Sequence, residues 1–137
     1  MSNLAIRQAL EVKLTSIDPN MPTAFENSAF EEPAEGPYQE AFVMFAEPNN
    51  PTQDQDHYRQ PGILQVTLRY PLGGGTLIPG KRAELLRDSF PIGLSLTADG
   101  VITHVDRTPD IGNGSNVNGR WVIVVRIRFY ADVFKGA

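Results

Sequence analysis

RWVIVVRIRFYA, residues 120–131, alternates between two sets of side chains with the period of two that is typical of a β-strand. One set is apolar and predicts a face on the core: Trp121, Ile123, Val125, Ile127 and Phe129. The other set includes two cations and predicts a face that is partly in water: Val122, Val124, Arg126, Arg128 and Tyr130. A strand this long with one apolar face indicates a sheet that is covered on one side only.

Four further strands precede this one in the chain. Their predicted ranges are residues 38–47, 62–70, 92–97 and 101–108. The second of them alternates as cleanly as the last strand, with a polar face formed by Gln65, Thr67 and Arg69. The third and fourth flank the turn residues ADG, 98–100, which is typical of a β-hairpin.

Two amphipathic helices are predicted from apolar side chains at spacings of three and four. Residues 3–17 and 76–90 each carry one such stripe: Ile6, Leu10, Leu14 and Ile17, then Ala83, Leu86 and Phe90. The sequence therefore predicts an α+β fold of two layers, a mostly antiparallel sheet with two helices packed on one face and long loops. The length of 137 residues predicts one domain, residues 1–137.

Composition excludes several classes of protein. The chain has no cysteine, which excludes disulfides, thiolate zinc sites and cysteine nucleophiles. Its N-terminus lacks the basic start and apolar run of a signal peptide, and no apolar stretch approaches the ~18 residues of a membrane helix. These features predict a soluble protein of the cytoplasm that does not contact a membrane.

Charge is distributed unevenly along the chain. The net charge is −4, but residues 1–60 carry ten acidic against three basic side chains, whereas residues 61–137 carry six against nine. The acidic total and the lack of a dense Lys/Arg cluster argue against a nucleic-acid-binding protein. The two halves of the chain thus carry net charges of opposite sign. This is consistent either with a solvated surface or with head-to-tail association of copies of the same chain.

Two polar stretches, residues 48–61 and 109–119, are predicted as loops that are long for a small domain. Loops of this length tend to be functional, but the sequence has no catalytic set to place on them. His57 and His104 lie 47 positions apart without clustered carboxylates, which is a weak pattern for a metal site. We therefore expect no catalytic residue, no metal and no cofactor, and a protein that assembles with others.

The stretch LGGGTLIPGKR, residues 72–82, raises an alternative, a nucleotide-binding loop from Gly75 to Lys81. Such a loop requires a hydroxyl directly after the lysine, but Arg82 stands there. Pro79 also removes one backbone donor from the loop. The favoured interpretation is a flexible connection between a strand and a helix, with nucleotide binding as a remote alternative.

Five segments carry a resemblance that covers nearly the whole chain. They are IRQALEVKLTSI (6–17), PTAFENSAFEEP (22–33), YRQPGILQVTLRYPLGGGT (58–76), SFPIGLSL (89–96) and GRWVIVVRIRFYAD (119–132). In this order they resemble the tail terminators of long-tailed phages, a family of small tail-completion proteins. The resemblance extends to proteins like the lambda-type minor tail protein U.

The resemblance implies a structural virion protein, found in the tail or neck and made in the host cytoplasm. It implies a hexameric ring that caps the head-proximal end of the tail tube, stops tube polymerisation and joins the head connector. The implied partners are copies of the chain itself, the tail tube protein and the head–tail connector protein. The alternative within the same class is another neck or head-completion protein, or a subunit of the tail tube.

Interface residues are expected on the two long loops and on the wet strand faces. The loop 49–60 supplies candidates for a contact with the tube or a neighbouring subunit: Asp54, Asp56, His57 and Arg59. The loop 110–118 supplies candidates for a contact with the other partner: Asp110, Asn113 and Asn116. On the strands, acids of another subunit are expected to pair with Arg69, Arg126 and Arg128. The simplest alternative for all of these residues is a solvated surface.

Overall fold

The computed structural model describes residues 2–51 and 56–134. Helices and strands follow one another in these residues as α1 (Ser2–Thr15), β1 (Thr23–Phe25), β2 (Tyr38–Phe45), β3 (His57–Pro71), α2 (Leu77–Ser89), β4 (Ser95–Ala98), β5 (Val101–Val105), β6 (Asp110–Ile111), β7 (Ser115–Val117) and β8 (Arg120–Phe134). The predicted α+β class and both predicted helices are confirmed. The predicted hairpin is also confirmed, with Asp99 and Gly100 both at positive φ in its two-residue turn.

The strands form one curled sheet in the order β1-β2-β3-β8-β5-β4. β1 is parallel to β2, and every other pair is antiparallel. β8 lies at the centre, because β3 pairs with its whole length on one side. Along its other side lie β5, β6 and β7 in turn. The stretch that alternates most clearly in the sequence is thus the strand around which the sheet is built.

The core lies between one face of the sheet and the two helices. The sheet contributes the apolar sets that the alternation predicts, among them Leu64, Val66, Leu68, Val125 and Ile127. The helices contribute the two predicted stripes, and Ile6, Leu10, Ala83, Leu86 and Phe90 are all 0% exposed. Removal of these side chains from water is the main term that stabilises the fold.

The prediction of a loop over residues 48–61 is wrong at its C-terminal end, because β3 begins at His57. Pro61 suggested a loop, since proline lacks the backbone N–H that a central strand requires. In the structure the Pro61 carbonyl accepts a hydrogen bond from the Ala46 N–H, just beyond the end of β2. The missing N–H of Pro61 faces that same side, where β2 has ended, so the ladder between β3 and β8 stays intact.

The prediction of a structureless loop over residues 109–119 is also wrong. This stretch contains β6 and β7, which pair with Val125–Arg126 and with Arg120–Val122 of β8. Strands of two or three residues are too short to show a period in the sequence. They form because the edge of β8 offers unpaired backbone groups along its length, and these require partners.

Candidate assembly surface

Most of the candidate interface residues lie on one face of the sheet, the face opposite the helices, which we call the outer face. β3 places its odd-numbered residues from His57 to Arg69 there, and β8 its even-numbered residues from Val122 to Phe134. His57, Arg59, Arg69, Arg126 and Arg128 therefore share this face. The alternation of side chains in a strand is what brings them together, since their partners across the ladder are fixed by the register.

Asp132 organises the His57–Phe134 end of the outer face. Its Oδ1 accepts a hydrogen bond from Arg59 Nε at 2.9 Å, and its Oδ2 accepts one from Arg59 Nη2 at 3.0 Å. His57 Nε2 lies 3.1 Å from the same Oδ1. The Arg59 guanidinium also lies 4.4 Å from the centre of the Tyr130 ring, and the His57 ring stacks on Phe134 at 4.5 Å. Both candidate residues are thus held by contacts within the chain.

The Asp132 carboxyl is held in its ionised form by this arrangement. The two hydrogen bonds from Arg59 lower the pKa of Asp132, and burial, which acts in the opposite direction, is the smaller effect. The His57 contact lowers the pKa further. The same bonds raise the pKa of Arg59. A bidentate pair of this kind orients both side chains and fixes the surface that they present.

Asp110, Arg126 and Arg128 form a second cluster near the middle of the outer face. Asp110 lies opposite Arg126 in the pairing of β6 with β8. Arg128 Nη1 donates to Asp110 Oδ1 at 2.6 Å, whereas Arg126 Nη1 lies 4.0 Å from Asp110 Oδ2. Two guanidinium groups therefore share one carboxylate, and the cluster keeps one excess positive charge.

Arg69 lies away from both clusters, toward the other end of β3. Its Nε donates to Oε1 of Glu40, which lies on the neighbouring strand β2. The carboxylate partner of Arg69 in the structure thus belongs to its own chain. Pairing of Arg69 with an acid of another subunit stays a prediction.

An acidic segment, residues 30–36, lies against the Tyr38 end of the outer face, and we call it the strap. Phe30 packs on the Tyr38 ring with 5.4 Å between centroids. Arg120, at the start of β8, donates to the Gly36 carbonyl at 2.7 Å and to Glu32 Oε1 at 3.1 Å, and it also bonds the Pro33 carbonyl. The Arg120 guanidinium lies 4.9 Å from the centre of the Tyr38 ring. These contacts fix an irregular segment on a strand residue far from it in sequence.

The remaining candidate residues lie on connecting segments. Asn113 and Asn116 are exposed, and Asn116 belongs to β7, where it lies opposite Trp121 of β8. Asp56 is exposed and directly precedes β3. Asp54 lies outside the described residues. The ends of the loop 49–60 are joined by two backbone hydrogen bonds between Asn49 and Arg59, of 2.9 and 2.8 Å.

The glycine-rich stretch connects β3 to α2, as the favoured interpretation predicts. Pro71, Leu72, Gly73, Gly75, Thr76 and Trp121 line a small cavity of about 110 Å³ there. Both neighbours of β3 are antiparallel to it, unlike the parallel strands around a phosphate loop. Arg82, which occupies the position of the loop hydroxyl, is only 6% exposed and donates to the Pro19 carbonyl. Burial lowers the pKa of Arg82.

Within residues 2–51 and 56–134, no group of three or more His, Cys, Asp or Glu side chains is arranged to hold a metal ion. Neither helix in the described part of the chain has the length and apolar character that crossing a bilayer requires.

Sequence reasoning missed Asp132, Arg120 and the strap. Asp132 and Arg59 are 73 positions apart, and Arg120 is 88 positions from Glu32. The register of β3 against β8 brings the first pair together, and no local pattern encodes that register. The one available signal for the strap was its composition, since Glu31, Glu32 and Glu35 lie within five residues.

Comparison with known proteins gives a family and a related structure. A family model described as "Phage tail terminator protein" matches residues 5–129. The chain is similar over its full length to a solved structure with 27% sequence identity and a TM-score of 0.78, with 100% of this chain and 99% of that chain covered. No curated protein sequence matches the chain significantly. The family match includes every helix and strand except the first residues of α1 and the last residues of β8.

Proposed function

Since the chain belongs to the phage tail terminator protein family, with a structural role in the phage tail, we propose that it caps the head-proximal end of the tail tube. The match over residues 5–129 is the observation that carries this proposal. In detail, six copies form a ring, the ring stops polymerisation of the tube, and its free side joins the head connector. The chain acts without catalysis, and its structural role in the family supports this part of the proposal.

The positions of the two candidate segments, residues 49–60 and 110–118, support a subunit that contacts a different partner at each of its two ends. The segment 49–60 includes the start of β3, where His57 pairs with Phe134 at the C-terminal end of β8. The β6–β7 segment reaches the N-terminal end, where Val117 pairs with Arg120. β6 pairs with the middle of β8 at Arg126, and β7 pairs with its first residues, so the two segments meet different parts of β8. We propose that one segment contacts the tube and the other contacts the connector.

Self-association of the subunits is also part of the proposal. A ring has head-to-tail contacts, so each subunit requires two different complementary surfaces. The sheet ends in two different strands, β1 on one side and β4 on the other. Beside β4 a groove of about 340 Å³ is lined by α1 residues such as Ala9 and Val12 and by Leu96. We propose that the ring forms through contacts between these lateral surfaces. The arginines of the outer face are proposed to pair with acids of another subunit.

The organisation of residues 1–137 as one domain stays a prediction.

The proposal predicts that the chain limits tube growth with purified components. Tail tube protein of the same phage is polymerised at several molar ratios of the chain, and tube lengths are measured by negative-stain electron microscopy. The mean length is expected to fall as the ratio rises, with extra density at one end of the tubes. An unrelated protein of equal net charge is the control. Tube lengths that do not respond to the chain, or long tubes formed by the chain alone, would contradict a terminator.

A further inference from the structure

The outer face carries an exposed patch of mixed character near its middle, which we call the basic patch: Phe42, Met44, Arg126 and Arg128. Phe42 and Met44 are 37% and 44% exposed, although both are large apolar side chains. They lie on β2, opposite Gln65 and Ile63 of β3, which in turn pair with Arg126 and Arg128. Because Asp110 is shared between the two arginines, the patch has an excess positive charge. Apolar groups beside unbalanced charge mark a surface for a partner of opposite charge.

The strap carries charge of the sign opposite to that of the basic patch. Glu31 and Glu35 are exposed, and within the described part of the chain neither carboxylate has an ion-pair partner. Glu32, between them, pairs with Arg120, which keeps the strap in place. The chain thus presents two unbalanced carboxylates on a segment that is already ordered, so little conformational entropy is lost when they bind a partner.

Strap and basic patch lie on the same face but do not meet within one chain. The strap packs on Tyr38, and Tyr38 and Phe42 project to the same side of β2 because they are four residues apart. Their separation along the strand is about 13 Å. A second chain that lies face to face with the first, turned by a two-fold axis, brings each strap onto the basic patch of the other. A two-fold contact uses one surface on both chains and so makes both charge-complementary contacts at once.

We infer that the outer face binds the outer face of a second copy of this chain in a closed two-fold pair. Glu31 and Glu35 of each chain lie on Arg126 and Arg128 of the other, with Phe42 and Met44 buried between them. The inference goes beyond the proposed ring and names the acids that bind the arginines of the outer face. The pair is distinct from the head-to-tail contacts of the ring, which use the lateral surfaces of the sheet. It is expected for the purified chain in the absence of the tube.

Two charge-reversed variants test the pair. One is Arg126→Glu with Arg128→Glu, and the other is Glu31→Lys with Glu35→Lys. Each alone places like charges at both contacts, so its dissociation constant is expected to rise about 100-fold relative to the wild-type pair. An equimolar mixture of the two variants restores opposite charges at both contacts, so pairs containing one chain of each are expected to form again. Masses are measured by analytical ultracentrifugation at low salt.

A matched control changes the same amount of charge on the other layer. Glu84→Lys with Asp88→Lys alters the exposed side of α2, away from the outer face, and is expected to leave the mass of the wild-type pair unchanged. Circular dichroism of every variant checks that the fold is retained. The strap variant alters only exposed side chains, so it tests the contact even if the arginine variant does not fold.

The outcomes separate the inference from the proposed function. A mass of two chains for wild type and for the mixture, with single chains for each variant alone, supports the pair. A wild-type chain that stays a monomer at high concentration, or a mixture that does not associate, overturns it. Rings in the mixture would also overturn the two-fold arrangement in favour of head-to-tail contacts. None of these results changes the expected effect of the chain on tube length, which tests the terminator function separately.

Discussion

Replacement of Gly62 with valine is expected to lower the free energy of unfolding by about 1–3 kcal/mol, through overpacking at the centre of the sheet. Gly62 lies on β3 between Phe45 of β2 and Phe129 of β8. A Cβ atom there would lie 2.5 Å from Phe129 Cζ and 2.6 Å from the Met44 carbonyl oxygen. The Phe129 ring is 1% exposed and the carbonyl belongs to the backbone, so neither can move away easily.

Gly74→Val is the matched control for this substitution. A Cβ atom at Gly74 meets nothing within 4 Å, and Gly74 does not have a positive φ. Urea unfolding of both variants, followed by tryptophan fluorescence, gives the two free energies. Equal stabilities of the Gly62 and Gly74 variants would contradict the close packing of β2, β3 and β8 at this point.

Asp132→Asn is expected to destabilise the protein by about 1 kcal/mol at pH 7, because a bidentate ion pair that is partly exposed is lost. The variant keeps the shape of the side chain but leaves the Arg59 guanidinium without its carboxylate. It also removes the negative charge from the oxygen that lies 3.1 Å from His57 Nε2, while an amide oxygen still occupies that position. The end of the outer face next to the loop 49–60 is expected to lose its fixed arrangement.

The effect of Asp132→Asn depends on pH in a defined direction. The pKa of Asp132 in the folded chain is lowered, chiefly by the bonds from Arg59. Its contribution is therefore present above the unfolded pKa of about 3.9 and is lost as the pH falls through the lower folded value. Wild type and variant are expected to differ in stability at pH 7 and to converge in stronger acid.

Urea unfolding between pH 7 and pH 2.5 measures this convergence. Asp106→Asn is the control, because the Asp106 carboxylate is 46% exposed and lies 4.0 Å from Arg107, a contact that contributes little. A difference between wild type and Asp132→Asn that stays constant down to the lowest pH would show that the Asp132 charge does not stabilise the fold.

The helices and strands with a regular pattern of apolar side chains could be predicted from the sequence. Their arrangement in two layers could be predicted as well, because each apolar face has to be buried against another element. The alternation over residues 120–131 predicts which side of β8 lies on the core, and Val125 and Ile127 are 0% exposed there. The stripe of the first helix, Ile6 to Ile17, spans about three turns and is the clearer signal, whereas that of the second, Ala83 to Phe90, spans about two. Two layers then follow, since each apolar face requires a cover.

Features that depend on strand register could not be predicted. The hydrogen bonds of Arg59 with Asp132 require the alignment of two strands far apart in sequence, and a shift by one residue would place Asp132 on the core face. Pro61 misled the prediction because the sequence does not show which side of β3 its missing N–H faces. β6 and β7 form against the edge of a strand that follows them in the chain.

The candidate interface was predicted as residue types rather than as a surface. Alternation alone placed Arg126 and Arg128 on one wet face, but the carboxylate that they share, Asp110, was assigned to a different partner contact. The structure brings all three together near the middle of the outer face and adds the strap at the Tyr38 end of that face. A short irregular segment such as the strap has no period, so its position depends on contacts with Arg120 that only the folded chain reveals.

The most direct test of the terminator function is electron microscopy of lysates from the parent phage with this gene disabled, with tail lengths measured on detached tails. We expect tubes that exceed the normal length, full heads without tails, and a return to normal length when the wild-type gene is supplied in trans. Tails of normal length that fail to join heads would contradict a terminator and indicate a neck protein of the head side. A complete absence of tubes would contradict it as well and indicate a component of the tube.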